Sequence, residues 1–382
     1  MRIPRSAPRR QPRTTSRCLE AVRHCAAASL VVLVVSGCRH DTQPNEEARG
    51  SGTFVALAAL PGDLAGEAAA VSGDGRVVVG TSISSANRRS AFRWTPLQGP
   101  VPLGLLPQGS FTSAAAASGD GAVIVGTADG GSPAGLHGFR WTVDSGLIQL
   151  EALAGANACA ATAVSGDGSV VVGTCLAPMD EAFRWTGQTG AAGLGRFGPG
   201  SNAMSTASAV SYDGQVIGGA GNPVLTGAVI WDANGTPTII GGLPGDIGGT
   251  ITALSRNGTF AVGVSLNAAA RERAFRWSAT TGVTALAASD TWVETVAAAV
   301  SADGNRAVGW GRHESGSDVA VMWDASATLH PVSDLLSRDG QTASAGWTLT
   351  RARGISADGR AIVGEGLDPS GVGHGWMVVL HD

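Results

Sequence analysis

The tetrapeptide Ser-x-Asp-Gly recurs through this chain at Ser72, Ser118, Ser165, Ser211, Ser301 and Ser356, and once as Ser255-Arg-Asn-Gly, making seven copies. The intervals between them are 46, 47, 46, 44, 46 and 55 residues. A fixed period in this range commits a chain to a repeat architecture before any single residue is weighed. An eighth match, Ser337-Arg-Asp-Gly, lacks the flanking pattern and reads as a loop insertion that accounts for the one long interval.

Each copy sits in the same frame. A small-residue run such as Ala68-Ala-Ala-Val71 precedes it, and a β-branched run ending in glycine, such as Val77-Val-Val-Gly80, follows. A variable polar loop leads to an aromatic strand: Ala91-Phe-Arg-Trp94, Gly138-Phe-Arg-Trp141, Ala182-Phe-Arg-Trp185 and Ala274-Phe-Arg-Trp277. The last element is apolar and often closes on Leu-Pro-Gly, as at Leu60-Pro-Gly62 and Leu243-Pro-Gly245. Four short strands in each period are the signature of a β-propeller. The 56 glycines and the valine runs exclude a helical solenoid. The expected fold is therefore all-β, a seven-bladed propeller with four-stranded blades.

The phase of the repeat predicts how the ring closes. Thr53–Leu60 is a lone strand of the fourth type, and the chain ends on a strand of the third type, Gly375–Leu380. The N-terminal strand should complete the last blade and remove an exposed edge. Alanine two and four places before most repeat serines fits strands crowded near an axis, whereas Phe92, Trp94, Phe183 and Trp185 fit more widely spaced outer strands. The tetrapeptide itself reads as a type I turn with glycine in the left-handed position. Calcium binding by its aspartates is disfavoured, because calcium takes six or more oxygens and each turn supplies one carboxylate.

The N-terminus reads as a targeting segment. Seven arginines within residues 1–37 precede or flank the apolar run Ala26–Val35, which is too short to span a bilayer. Val35-Ser36-Gly37-Cys38 resembles the bacterial lipobox, which implies lipidation of Cys38. The expected organisation is a lipoprotein-type signal peptide over 1–37, a flexible tether over 38–52, and the propeller over 53–382. Arg39 after the cysteine favours the outer over the inner membrane, with secretion as the alternative.

With the frame Ala-x-x-Val-Ser-x-Asp-Gly-x-x-Val-Val-Gly, then Ala-Phe-Arg-Trp, then Leu-x-x-Leu-Pro-Gly in view, the chain resembles the bacterial extracellular HAF-repeat family over about residues 53–380. The final stretch from Gly346-Trp-Thr-Leu-Thr to Gly364 is similar to that family's last repeat. The name-giving His-Ala-Phe survives only as Leu136-His-Gly-Phe139 and Gly373-His-Gly-Trp376. The resemblance implies an exported bacterial propeller and brings no particular activity with it.

Chemistry is sparse. The chain has no lysine, and beyond residue 37 it holds 19 arginines against 29 acids, a net of −10. That sign gives no footprint for nucleic acid. No nucleophile elbow, nucleotide-binding fingerprint or metal-ligand spacing occurs, so neither catalytic residues nor a cofactor are expected. If Ser165 pairs with Ser169 across its turn, facing positions sum to 334, which sets Cys159 opposite Cys175 for a disulfide. The loops between second and third strands vary most and carry Arg88, Arg89, Asp180, Glu181, Arg271, Arg273 and Arg312. Propeller ligands commonly sit on that face. Five places before the serine, Glu67 and Arg351 break a run of small residues, and as neighbours around the ring they are expected to pair. The leading functional reading is an envelope-displayed binding module for a glycan or protein. A structural envelope or matrix protein is one alternative. A carbohydrate-active hydrolase or lyase, using Glu67 with Glu272 or Asp180, is another.

Overall fold

The computed structural model describes residues 51–176, 180–222, 227–288 and 291–381. Cys38, segment 1–37 and most of 38–52 lie outside the described residues. The chain forms seven antiparallel sheets of four strands, one per repeat. Blade 1 runs Ala65–Val71, Val78–Ile83, Arg89–Thr95 and Gly99–Pro102, from the axis outward. Blade 7 is ordered Thr348–Ile355, Ala361–Leu367, Gly373–Val379 and then Thr53–Leu57. The N-terminal strand is thus the outer strand of the last blade, in register from Thr53 opposite Val379 to Leu57 opposite Gly375. The first strands of neighbouring blades pack against one another right around the ring, blade 7 against blade 1 included. This is a closed seven-bladed propeller.

Its core is divided among the blade interfaces. Each buried cluster draws on two adjacent blades, for instance Val77, Val79 and Ala91 of blade 1 with Ala114, Ile124 and Phe139 of blade 2. Trp231, Trp323 and Trp376 are fully buried in three of these clusters. The alanines four before the serine, Ala68, Ala114, Ala161, Ala207 and Ala297, also face these interfaces. They are small because a neighbouring blade presses on them, and they do not set the width of the channel. The long interval before blade 7 holds a short 3-10 turn, Val332–Leu335, and a helix, Arg338–Ala343. Ser337 of the eighth tetrapeptide caps that helix by accepting from the Gly340 N–H, so it makes no repeat turn.

The turn serines do more than begin a turn. Ser72 Oγ donates to Asp74 Oδ1 at 2.5 Å and accepts from the Val77 N–H at 3.0 Å. The same pair of bonds recurs from Ser118, Ser165, Ser211, Ser255, Ser301 and Ser356, each buried. The turn glycine has two duties. At Gly121 φ is +68°, and a Cβ there would lie 2.5 Å from Val77 of the preceding blade; Gly168 stands in the same way against Val123.

The second glycine of the frame is mid-strand. The sequence suggests that the β-branched run ends on it, yet Val78–Ile83 continues through Gly80. The reason is a β-bulge in every first strand, at Ala69, Ala115, Thr162, Ser208, Thr252, Ala298 and Arg353. The bulge pushes a carbonyl onto the facing glycine. A Cβ on any of the seven would sit 1.8–2.1 Å from that oxygen. The bulge also resolves the disulfide geometry. The turn closes between Ser165 and Val170, so near it facing positions sum to 335, where Ser165 opposite Ser169 had been expected. The bulge at Thr162 removes one residue from the count, and Cys159 faces Cys175 with Cα atoms 4.0 Å apart, joined by a disulfide.

Candidate functional site

Every first strand ends at a repeat turn, so its beginning points to the opposite face, where the variable loops lie. Five and three residues before the serine, side chains reach the channel, together with the residue after the mid-strand glycine. On blades 2 to 5 these positions are small or hydroxylated, apart from Val264. Thr162, Ser208 and Thr252 each donate a hydrogen bond to a carbonyl of the next blade, at Ala207, Ile251 and Ala297. Between blades 1 and 2 the hydroxyls of Thr81 and Ser113 bond to each other at 2.8 Å.

Blades 6, 7 and 1 depart from this. There the positions hold Trp310, Arg351, Arg353, Glu365 and Glu67. Glu67, Trp310, Arg353 and Glu365 line a cavity of about 370 Å³, closed on its far side by Ser208 and Thr252 of blades 4 and 5. The Cζ atoms of Arg351 and Arg353 both stand 5.1 Å from the Trp310 ring centroid, within cation–π range.

These groups belong to a chain of charges running from blade 1 back to blade 5. Arg89 reaches Glu67 at 3.5 Å, and Glu67 is in hydrogen-bonding contact with Glu365. Arg353 holds Glu365 at 2.8 Å. Arg351 lies 3.6 Å from Glu365 and 2.6 Å from Asp318. Arg312 binds Asp318 and Glu294, each at 2.8 Å, and the charge of Glu294 acts on Glu272. Signs alternate except where Glu365 neighbours Glu67 and Glu294 acts on Glu272. Burial, and then the neighbouring Glu365, raises the Glu67 carboxyl above the ordinary range. Burial and Glu294 do the same to Glu272. Asp318 goes the other way: burial opposes its ionisation, but hydrogen bonds from Arg312 and Arg351 outweigh that and lower it.

The loop charges expected from sequence are mostly engaged locally. Arg88 and Arg271 are exposed in their turns. Arg273 is bound by Asp246, and Glu181 by Arg196 at 3.3 Å. Asp180 accepts the Ser205 N–H through its backbone. Arg89 and Arg312 join the charge chain. The expected pairing of Glu67 with Arg351 is corrected: Glu67 pairs with Arg89, and Arg351 with Asp318 and Glu365. The reason is register. Glu365 lies opposite Arg351 on the adjacent strand and takes the place beside Glu67. Glu67 therefore has Glu365 as its carboxyl neighbour, not the expected Glu272 or Asp180. Sequence reasoning missed Trp310, Arg353, Glu365, Asp318 and Glu294. A signal existed in the residue after the mid-strand glycine, which reads Thr81, Thr127, Thr174, Ala220, Val264, Trp310 and Glu365 through the blades. Among the described residues, no three His, Cys, Asp or Glu side chains are grouped to hold a metal ion.

At the opposite end of the axis, backbone hydrogen bonds run from blade to blade between the repeat turns, for example Tyr212 N–H to Arg256 O and Ala357 N–H to Gly73 O. The ring of Tyr212 lies over Gly166 and Gly119, where side chains would collide with it, and Arg256 covers its outer face at 3.5 Å.

No protein-family profile matches the chain, and no curated protein matches it. Among solved structures it is similar to an oligogalacturonate lyase from Vibrio parahaemolyticus. The TM-score is 0.58 at 11% identity, covering 88% of this chain and 99% of that one. It is also similar to an oligogalacturonate lyase in complex with manganese, with TM-score 0.56 at 12% identity, covering 87% and 91%. A weaker likeness is to TolB from Acinetobacter baumannii, with TM-score 0.48 at 13% identity. It covers 67% of this chain and only 62% of that chain's length. At these identities the likeness is one of fold, and the fold shared with the two lyases is the β-propeller.

Proposed function

We propose that this chain is a binding module of the bacterial cell envelope, an exported HAF-repeat propeller anchored by lipid at Cys38, preferentially in the outer membrane. Its ligand, a glycan or a protein segment of the envelope, docks at the loop-face mouth of the channel. One observation carries this reading: the aromatic and charged departures from the repeat gather on blades 6, 7 and 1, around one cavity. Seven equal blades need no such asymmetry to close a ring. The hydrolase alternative draws no support from this pair of carboxyls, because Glu67 and Glu365 are in contact. Two-carboxylate glycoside hydrolysis needs a separation of about 5–10 Å.

The test is a thermal-shift screen of envelope glycans and peptidoglycan fragments. A ligand at about 100 times its Kd stabilises by about 2.7 kcal/mol. The shift should vanish in Arg353→Ala and Trp310→Leu and persist in Arg76→Ala, on the opposite face. A shift that survives both channel substitutions refutes the placement. A flat response across the panel shifts the reading to a structural envelope role.

A further inference from the structure

A second cavity, of about 470 Å³, opens between blades 5 and 6 on the loop face, outside the channel. One wall is Trp292, the first residue of the inner strand of blade 6, Trp292–Val300. Blade 6 carries an extra register shift between Trp292 and Glu294, which sets this ring apart from the regular strand. The ring is pinned. It stacks on His313 with centroids 3.8 Å apart and planes 28° from parallel. It lies over Gly311, where a Cβ would come within 2.4 Å of Cε3. His313 is held in turn by its Nδ1, which donates to the Thr291 carbonyl at 3.2 Å. Gly311 and His313 alternate along one strand and so project from the same face of the sheet. Trp292 is partly buried against the core between blades 5 and 6 and also lines the cavity.

The remaining polar wall is dominated by Glu272, Glu294 and Glu314. Arg271, which is exposed, and Arg273, which is drawn away by Asp246, also line it and leave the wall with one more carboxylate than guanidinium. Glu294 is bound by Arg312. Glu272 is half-buried and, among the described residues, makes no side-chain hydrogen bond or ion pair; burial and Glu294 raise its carboxyl. No guanidinium among the described residues covers Trp292, whereas Trp310 in the channel is covered by two. A pinned indole beside a partly desolvated carboxylate, on which Arg312 and Arg351 act from a distance without an ion pair, attracts a cation twice over, through the ring quadrupole and through charge. A neutral sugar would leave that carboxylate uncompensated.

We infer that the cavity between blades 5 and 6 is a binding site for a small organic ammonium ion, held between Trp292 and the carboxylate of Glu272. This site is separate from the channel mouth, so its success or failure leaves the proposed function untouched.

The test is calorimetric titration of the full-length protein with choline and with putrescine, using cellobiose as a neutral comparison. Saturable binding of an ammonium probe is expected, with cellobiose silent. Glu272→Gln and Trp292→Leu should each weaken it about tenfold, the scale of one desolvated cation–π contact or charge. Arg353→Ala should leave it unchanged. Glu314→Gln, at an exposed position, should weaken it by a smaller factor with the fold intact. Absence of saturable heat for both ammonium probes up to about 10 mM overturns the inference. So does binding that Glu272→Gln leaves unchanged, or cellobiose binding as tightly as the amines.

Discussion

Replacing Gly263 by alanine should damage this propeller far more than the same change at Gly282, although both glycines lie in blade 5. A Cβ on Gly263 would stand 2.1 Å from the Thr250 carbonyl oxygen and 2.7 Å from the Phe275 ring. Carbon and oxygen rarely approach closer than about 3.3 Å even in favourable C–H···O contacts, so the overlap with backbone exceeds 1 Å. The oxygen cannot swing aside, because it belongs to the strand that carries the bulge. Overpacking of about 1–3 kcal/mol plus one or two lost ladder bonds of about 1 kcal/mol each gives a cost of about 2–5 kcal/mol. Gly282 has φ +66° with nothing within 4 Å of its Cβ position, so alanine there pays only the left-handed strain, about 1 kcal/mol. For a domain of about 330 residues, 1 kcal/mol moves Tm by about 1.5 °C. Thermal unfolding followed by circular dichroism at one scan rate should therefore show Gly263→Ala melting about 3–7 °C lower and Gly282→Ala about 1–2 °C lower. If the two variants melt within a degree of each other, the bulge-and-glycine account is wrong.

Ser165→Ala removes a buried hydroxyl that donates to Asp167 and accepts from Val170; about 1–3 kcal/mol should be lost, read in the same melt. The Cys159→Ser/Cys175→Ser double variant opens a link across 16 residues, and the chain-entropy relation gives a loss of about 3 kcal/mol, measured by urea unfolding without reductant. The raised carboxyl of Glu67 means that the folded chain holds that proton more tightly than the unfolded one, so this group's contribution to stability falls as pH rises above its ordinary range. Glu67→Gln should then raise Tm relative to the parent protein more at pH 7 than at pH 4. Turn aspartates act in the opposite sense. Asp120 is lowered by the Ala122 N–H and the Ser118 hydroxyl, and Asp213 by the Ser211 hydroxyl and the Gln215 N–H. Their contribution is present at neutral pH and lost as pH falls below about 4, which an acid titration of the parent Tm should show.

What could be read from the sequence was whatever the repeat states seven times. The blade count, the four strands, the ring closure through Thr53–Leu57 and the turn at Ser-x-Asp-Gly are all periodic or set by phase. What could not be read depends on one residue meeting another blade. Gly80 and its six counterparts look like punctuation, because nothing local says that a carbonyl five places before the serine will press on them. The bulges that cause this are invisible in a pattern of small residues. They also shift which alternation faces the axis, so the alanines drew attention and Arg353 did not. Cys159 and Cys175 were paired through a turn count one residue short, and the unseen bulge supplied the correction.

The charge chain at the channel mouth bears on whether blades 6, 7 and 1 differ for structural reasons. An ion network selected to hold three blades together would alternate in sign throughout, since exposed pairs contribute at most about 1 kcal/mol and like charges oppose them. This one breaks alternation twice, where Glu365 neighbours Glu67 and Glu294 acts on Glu272, and in each case burial first and the like charge second raise a carboxyl. Such breaks cost stability at neutral pH. Both occur where a cavity wall also carries a tryptophan, Trp310 in one case and Trp292 in the other. Elsewhere on the ring, hydroxyls and alanines at equivalent positions join the blades without charge. Stability therefore explains the uncharged inner positions of blades 2 to 5 and does not explain the departures on blades 6, 7 and 1 or Glu272 at the edge of blade 5. Recognition of a ligand does, because it requires partly desolvated, incompletely paired groups to remain available beside an apolar surface.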